Sequence, residues 1–181
     1  MNLIVRESTP ADLEAITAIY AENVLNGTGT FEITAPSIDE MTARRAGVLA
    51  LGLPWLVAES NGVVVGYAYA GPFRSRAAYR FTVEDSIYVL ASAHGKGVGR
   101  ALLNDLIARC QAMGIRQMLG VIGDSANEAS IRLHATCGFQ PMGAIEGVGW
   151  KFERWLDVLF MQRALGTGAV SDPDSPGLPL A

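Results

Sequence analysis

The sequence has little of several features that mark special classes of protein. Only two cysteines occur in 181 residues, Cys110 and Cys137, and both lie in apolar, helix-like contexts, so we expect reduced core residues rather than a disulfide. No apolar run approaches the roughly 20 residues that cross a bilayer. The net charge of −4 offers no broad attraction to nucleic acid or to an anionic membrane. These absences argue against a secreted disulfide scaffold, a membrane protein and a nucleic-acid-binding protein.

What is present is the composition of a soluble globular domain, with 50% hydrophobic and 18% charged residues. Charge at Arg6 and Glu7 comes too early for the hydrophobic region of a secretory signal, so we expect a cytoplasmic protein. The length fits one domain, which we assign to residues 1–165. Residues 166–181, "GTGAVSDPDSPGLPLA", are rich in Gly, Pro and Ser and predict a disordered tail.

The first half of the chain carries clear start and turn signals. "LIVR" predicts a short strand, and Thr9 predicts the N-cap of a helix with apolar residues on one face. Ser37, followed three residues later by Glu40, has the spacing of a capping box. "WLVAES" and "VVVGYAYAG" are strand-like and flank Asn61-Gly62, a strong signal for a β-hairpin.

The second half alternates strands and helices. "FTVEDSIYVL" predicts a strand, and a helix follows to about Met113, with Gly114 at its end. "QMLGVI" predicts another strand, and "NEASIRLHATCGF" predicts a helix that ends before Gly138. The stretch from Phe139 to Arg163 predicts two more strands. This order favours an α/β or α+β fold with a mixed sheet.

Three alternating glycines, Gly95, Gly97 and Gly99, precede the helix that follows "FTVEDSIYVL". A helix N-terminus exposes unpaired N–H groups and partial positive charge, which suit a phosphate, and glycines let the ligand approach the backbone. A flexible loop that only caps the helix is the alternative. A P-loop is excluded because Lys96 is followed by Gly97. A dinucleotide fingerprint is excluded because its third glycine would fall on Arg100 or Leu102.

The segment His94–Gly99 instead fits Q/R-x-x-G-x-G/A, with His94 as a departure at the first position. Together with "TVEDSIYV", "NEASIRLHATCGF" and "WKFERWLDVLFMQRAL", it resembles the phosphinothricin and methionine-sulfoximine N-acetyltransferases of the GNAT superfamily, from about Leu3 to Leu165. The resemblance implies a mixed, mostly antiparallel sheet of about six or seven strands with about four helices, splayed at the acetyl-CoA site. It also implies acetyl-CoA as co-substrate, no metal, a small amino-acid substrate and a homodimer.

The resemblance also implies which residues bind acetyl-CoA. The backbone of Ile87, Tyr88 and Val89 would pair with the pantetheine arm like an added strand. Asn127 would contact the same arm, although it could equally be only an N-cap. The pyrophosphate would lie against the glycine segment, which comprises Gly95, Lys96, Gly97, Val98, Gly99 and Arg100.

For the chemistry, the resemblance assigns the general base to Glu84, because the amine substrate arrives as ammonium and must lose a proton. An exposed strand glutamate is the alternative. Strand alternation directs Asp85 to the opposite face. His134 would protonate the leaving thiolate or donate a hydrogen bond to its sulfur, or would be a packed helix histidine. Cys137 raises the possibility of an acyl-cysteine, but direct transfer in a ternary complex suits the family better.

At the substrate end, guanidinium groups suit carboxylate, phosphinate or sulfoximine oxygens. The resemblance implies Arg74, Ser75 and Arg76 as one wall, with Phe31 as a candidate for the opposite wall. Glu84, Asp85 and Ser86 complete the predicted substrate site. We therefore predict acetylation of the α-amine of an analogue such as phosphinothricin, methionine sulfoximine or methionine sulfone. One alternative is acetylation of another amine, such as a protein N-terminus or a polyamine, although the arginine loop disfavours a polyamine. The other alternative is a non-catalytic acyl-CoA-binding module.

Overall fold

The computed structural model describes residues 2–181. Its strands are β1 Leu3–Glu7, β2 Trp55–Ser60, β3 Val63–Pro72, β4 Thr82–Val89, β5 Gln117–Gly123, β6 Gln140–Lys151 and β7 Arg154–Ala164, and its helices are α1 Leu13–Asn26, α2 Ile38–Ala50, α3 Val98–Ala112 and α4 Glu128–Thr136. The strands form one sheet in the order β1-β2-β3-β4-β5-β7-β6. Within residues 2–181, only β4 and β5 pair in parallel. The predicted fold class is confirmed.

The helices cover the two faces of the sheet, and successive residues of β2 reach the two faces in turn. Leu56 and Ala58 belong to the larger apolar core, which includes Leu102 and Leu106 of α3. Trp55 and Val57 belong to the smaller core, which contains residues of α1 and α2. This alternation is the period of two that a strand imposes on its side chains. Both faces of β2 are therefore buried.

Local signals in the sequence correspond to local structure. The Ser37 hydroxyl accepts a hydrogen bond from Glu40 N (3.2 Å) at the start of α2. Asn61 and Gly62 have φ of 52° and 83°, as a type I′ hairpin turn requires between β2 and β3. Thr9 precedes a 3₁₀ turn, Pro10–Asp12, that leads into α1. These elements depend on contacts within a few residues, which is why the sequence predicts them.

The β4 and β5 strands pair only over four residues and then separate. Their ladder runs from Thr82↔Gln117 to Asp85↔Gly120, whereas β4 continues to Val89 along its other neighbour, β3. Beyond Asp85, the edge of β4 that faces β5 therefore has no partner strand. This separation is the splay that the family resemblance implies, and it positions the functional site.

The tail, residues 166–181, contains no helix or strand, but it lies against the domain, which differs from the predicted disorder. Leu178 is buried within the larger core, and its N–H donates to Arg80 O (2.8 Å). Arg116 donates to Asp172 O (2.8 Å). The glycine, proline and serine content indicated disorder, but composition cannot register that one leucine in "GLPLA" finds an apolar site.

Three further sequence expectations concern the chain as a whole. Cys110 and Cys137 are free and buried, as predicted. No helix within residues 2–181 is long and apolar enough to cross a membrane. Over the same residues, the structure contains no group of three or more His, Cys, Asp or Glu side chains arranged to hold a metal ion.

Candidate active site

A cavity of about 810 Å³ opens where β4 and β5 separate. The segment between α1 and α2 that comprises residues 27–31, here called the Gly27–Phe31 loop, lines one side, and the start of α3 lines another. Most predicted site residues line this cavity: Phe31, Glu84, Asp85, Ser86, Ile87, Tyr88, Val89, Gly95, Gly97, Val98, Gly99, Arg100, Asn127 and His134. Residues far apart in the chain therefore line one cavity.

The glycine segment forms the N-terminus of α3. Gly97 is its N-cap with φ of 80°, a left-handed conformation that favours glycine. The first bond of the helix runs from Ala101 N to Gly97 O (3.0 Å), so the N–H groups of Val98, Gly99 and Arg100 have no acceptor within the helix. These groups and the helix dipole form an anion-binding position that faces the cavity.

The predicted cofactor residues that flank this position differ in their contacts. Lys96 does not line the cavity; its ammonium donates to Ser92 O (2.8 Å). The ring of His94 lines the cavity and bonds Val89 O through Nε2 (3.0 Å). Asn127 caps α4 by accepting from Ser130 N (3.2 Å), so its predicted capping role is present beside the cavity.

Glu84 lies on β4 near the point where the strands separate, and its side chain is partly buried. Burial raises the pKa of Glu84 above its ordinary value, the adjacent charge of Asp85 raises it further, and the charge of Arg74 opposes both. A carboxyl group with a raised pKa beside a cavity is suited to accept a proton near neutral pH.

Asp85 and His134 form a buried pair that also borders the cavity. His134 Nε2 lies 3.1 Å from Asp85 Oδ2, and His134 Nδ1 lies 2.8 Å from Ser130 O. Burial by itself would lower the pKa of His134, but the hydrogen bond and charge of Asp85 and the Ser130 carbonyl raise it. Acceptors at both ring nitrogens favour the doubly protonated form of the imidazole.

This pairing defines the surroundings of Asp85. A Cβ at Gly120, on the neighbouring strand, would lie 2.7 Å from His134 Cδ2, so the absence of a side chain there leaves room for the imidazole. Within residues 2–181, Asp85 Oδ1 is buried without a hydrogen-bond partner. Asp85 thus contacts His134, while Glu84, its neighbour on the strand, has Arg74 as its nearby cation. The alternation predicted for these two residues is consistent with this arrangement.

The predicted arginine wall lies outside the cavity. Arg74, Ser75 and Arg76 are exposed and do not line it. The Arg74 guanidinium lies over the Phe73 ring, 4.3 Å from its centroid, and donates to Phe73 O (2.9 Å). The segment is held at the surface by its own aromatic contacts, including an edge-to-face pair of Phe73 and Tyr79. The substrate-binding role of these three residues stays a prediction.

Several residues that line the cavity were not predicted from the sequence. Tyr69 lines the cavity beside Glu84 and Ser86, and it stacks on Trp55 with ring centroids 4.2 Å apart. Asp124 also lines the cavity, at the end of β5. The Gly27–Phe31 loop contributes every one of its residues. The alternating tyrosines of "GYAYAG" and the glycine-rich "NGTGTF" were the available signals.

Comparisons with known proteins agree with this geometry. A profile described as "Acetyltransferase (GNAT) family" matches residues 20–139. The chain belongs to the GNAT family of acetyltransferases, and it is an N-acetyltransferase that uses acetyl-CoA as its acetyl donor.

Among its relatives, phosphinothricin N-acetyltransferase of Alcaligenes faecalis is 53% identical over 163 residues, which cover 90% of this chain and 83% of the relative. L-methionine sulfoximine/L-methionine sulfone acetyltransferase of Salmonella typhimurium is 42% identical over 170 residues, which cover 94% of this chain and 99% of the relative. A crystal structure of phosphinothricin acetyltransferase from Sinorhizobium meliloti in complex with AcCoA matches with a TM-score of 0.95 and 48% identity, over 99% of this chain and 97% of that chain.

Proposed function

We propose that this protein acetylates the α-amino group of a small amino-acid analogue with a polar γ-group, with phosphinothricin, methionine sulfoximine and methionine sulfone as the leading substrates. The observation that carries the proposal is the position of Glu84, partly buried where β4 and β5 separate and lining the cavity between the Gly27–Phe31 loop and the start of α3. The activities named for the relatives from Alcaligenes faecalis and Salmonella typhimurium support this substrate class.

The residues around the cavity fit acetyl-CoA. The unpaired edge of β4 from Ser86 to Val89 offers backbone N–H and C=O groups to the amides of the pantetheine arm. The free N–H groups at the start of α3 suit the pyrophosphate. When bound, acetyl-CoA supplies a thioester whose carbonyl carbon is the electrophile.

Glu84 is proposed as the general base that takes a proton from the substrate ammonium, directly or through a water molecule. Its raised pKa makes the carboxylate a better proton acceptor. A neutral amine then carries the lone pair that attacks the carbonyl carbon. Tyr69, on the same side of the sheet, limits the space beside Glu84.

His134 is proposed as the proton source for the leaving thiolate. The hydrogen bond and charge of Asp85 raise the pKa of His134, which favours a proton at Nε2 on the border of the cavity. This proton is bonded to Asp85 Oδ2, so its transfer to the thiolate breaks that hydrogen bond, forms the S–H bond and leaves a neutral imidazole that Ser130 O still orients through Nδ1. Asp85 is assigned here to His134, in addition to the substrate-site role implied by the family resemblance.

Direct transfer in a ternary complex is proposed over an acyl-cysteine intermediate. Cys137 is buried, and burial raises the pKa of its thiol, so little thiolate is present at neutral pH to act as a nucleophile. The thiol does not line the cavity. Both observations support a mechanism in which the amine attacks the thioester without a covalent enzyme intermediate.

We also retain the homodimer and the cytoplasmic location as proposals. Several large apolar side chains on and beside the edge strand β6 are exposed, among them Met142, Ile145, Val148, Trp150 and Trp155, and a face of this kind supports association with a second copy. Light scattering after gel filtration distinguishes dimer from monomer. The free, buried cysteines support a reducing compartment.

The function is tested by following CoA release from acetyl-CoA with a panel of amines: phosphinothricin, methionine sulfoximine, methionine sulfone, methionine, spermidine and a short peptide. We expect the highest kcat/KM with the first three. Intersecting lines in a two-substrate initial-rate study are expected for direct transfer, whereas parallel lines would indicate an acyl-enzyme. Preference for spermidine or the peptide would contradict the proposed substrate class, and no release with any amine would contradict catalysis itself.

A further inference from the structure

Lys151 is a buried cation that the chemistry above does not use. Its residue is 4% exposed, while its neighbours Trp150 and Phe152 are 58% and 50% exposed. At these three positions the charged side chain therefore lies inside and the aromatic side chains lie outside, which reverses the usual pattern. Removing an ammonium group from water is costly unless its protons are bonded, so the contacts of Lys151 require an explanation.

The hydrogen bonds of the Lys151 ammonium are made to the Gly27–Phe31 loop. Its Nζ donates to Gly27 O and to Thr30 O, both at 2.8 Å. Within residues 2–181, Lys151 forms no ion pair with a carboxylate. The two acceptors lie 124 and 121 residues away in the chain. The ammonium of Lys151 therefore links the loop backbone to β6 at two positions, Gly27 and Thr30.

Phe31 is held by the same strand. A Cβ at Gly149, two residues before Lys151, would overlap the Phe31 ring, and a Cβ at Gly123 on β5 would lie 2.9 Å from Phe31 Cε1. Gly149 and Lys151 share a face of β6 because side chains alternate along a strand. Two glycines thus form a recess for the ring, and the lysine holds the backbone that carries it.

The β6–β7 turn is also joined to the end of β5, beside the recess for Phe31. Arg154, the first residue after the turn, donates to Asp124 Oδ2, and Asp124 follows Gly123, where a Cβ would overlap Thr28 O. Phe152 and Glu153 have φ of 52° and 56°, which is the conformation of a tight two-residue turn. A defined hairpin end therefore bonds the loop at Gly27 and Thr30.

All five residues of the loop line the cavity that also contains Glu84. A loop of this composition loses much conformational entropy when it is ordered, so its position depends on what holds it. We propose that Lys151 is a positioning residue that holds the Gly27–Phe31 loop as the wall of the amino-acid pocket, with the Gly123–Gly149 recess setting the depth of Phe31. That the pocket binds an amino acid rests on the proposed function. The holding of the loop by Lys151, here called the clamp, does not depend on it.

Lys151→Met removes the ammonium and keeps an unbranched side chain. We expect the KM for the amino acid to rise about 10- to 100-fold, the range for losing hydrogen bonds to a charged group, while the Kd for acetyl-CoA is unchanged. Hydrogen exchange of the amides of residues 27–31 should accelerate, while the amides of β2 and β3 remain protected. The exchange measurement needs no substrate.

Ile107→Ala is the matched control for loss of stability, because Ile107 is buried in the larger core and does not line the cavity. It should lower Tm while the KM for the amino acid stays within about twofold and loop exchange stays at the wild-type level. Equal loop exchange in Lys151→Met and Ile107→Ala would overturn the clamp. If the wild type acetylates no amino acid, the proposed function fails, and the exchange comparison still decides the clamp.

Gly149→Ala tests the recess independently of the ammonium. Its Cβ should displace the Phe31 ring and raise the KM for the amino acid, with a lowered Tm. Combining it with Phe31→Ala removes the overlap, so the Tm loss of the double variant should be smaller than the sum of the single losses. Strictly additive losses of Tm would contradict the contact between Gly149 and Phe31.

Discussion

Glu84 is the residue at which structure and chemistry converge. Its partly buried carboxyl group faces the cavity, and burial raises its pKa. Glu84→Gln keeps the shape of the side chain but removes its ability to accept a proton. General-base assistance is worth ~10²–10⁴ in rate, so we expect kcat to fall by that factor while calorimetry still detects binding of both ligands. Turnover within about threefold of the wild type would remove Glu84 from the mechanism.

The pH profile separates Glu84 from His134. The base form of Glu84 is present above its raised pKa, so the wild-type kcat/KM should rise as pH increases through a value above 4.5. The acid form of His134 is present below its raised pKa, so activity should fall as pH increases through a value above 6.5. Glu84→Gln should remove the rising limb, and His134→Gln should remove the falling limb. A falling limb that persists in His134→Gln would contradict its role as the acid.

At the scale of the element, the tail is the segment whose structure departs from its composition. Leu178 is 4% exposed within the larger core, and Val170, also in the tail, is 89% exposed. Leu178→Ala should therefore cost about 2–5 kcal/mol of unfolding free energy, at about 2–4 °C of Tm per kcal/mol. Val170→Ala is the matched control and should leave Tm unchanged. Equal Tm values in both variants would return the tail to the disordered state that composition predicts.

The long β6–β7 hairpin is the second element whose role the structure changes. From the sequence it is two final strands, and in the fold its turn reaches back to a loop more than 120 residues earlier. Its inner face holds the Gly27–Phe31 loop, and its outer face carries the exposed Trp150 and Trp155. One hairpin therefore connects the proposed amino-acid pocket with the surface proposed for association.

At the scale of the whole molecule, acid should unfold the protein through a few paired carboxylates. Hydrogen bonds from the Arg6 guanidinium hold the pKa of Asp12 well below its ordinary 3.8, against the opposing effect of burial. A carboxyl group with a lowered folded pKa contributes stability above its ordinary pKa, and this contribution is lost as pH falls. Tm should therefore decrease below about pH 4.

Asp12→Asn tests this account. At pH 7 it should lower the unfolding free energy by about 1–3 kcal/mol, the range for lost hydrogen bonds to a charged group, and should therefore lower Tm. As pH falls, the Tm of this variant should decrease less than that of the wild type. Glu146→Gln, at an exposed position of β6, is the control and should follow the wild-type curve. Identical acid curves for Asp12→Asn and the wild type would show that Asp12 is not a determinant of acid stability.

The sequence by itself determined the features that depend on neighbours in the chain. The Ser37 cap, the Asn61-Gly62 turn and the glycine segment before α3 follow from backbone preferences within a few residues, and apolar periodicity then indicated the order of strands and helices. The family resemblance added the splayed sheet and many of the residues that line the cavity. Sequence reasoning could go this far because these patterns are local or are shared with relatives.

Only the tertiary structure decided which distant groups meet. Asp85 could be directed to one face by alternation, but its pairing with His134 needs the β4–β5 register and the space at Gly120. The burial of Lys151 against Gly27 O and Thr30 O has no signal in "GWKFER", and the exposure of Arg74 has none in "PFRSR". The physical reason is that desolvation and pairing of a charge depend on what packs against it, and the partners come from elsewhere in the chain.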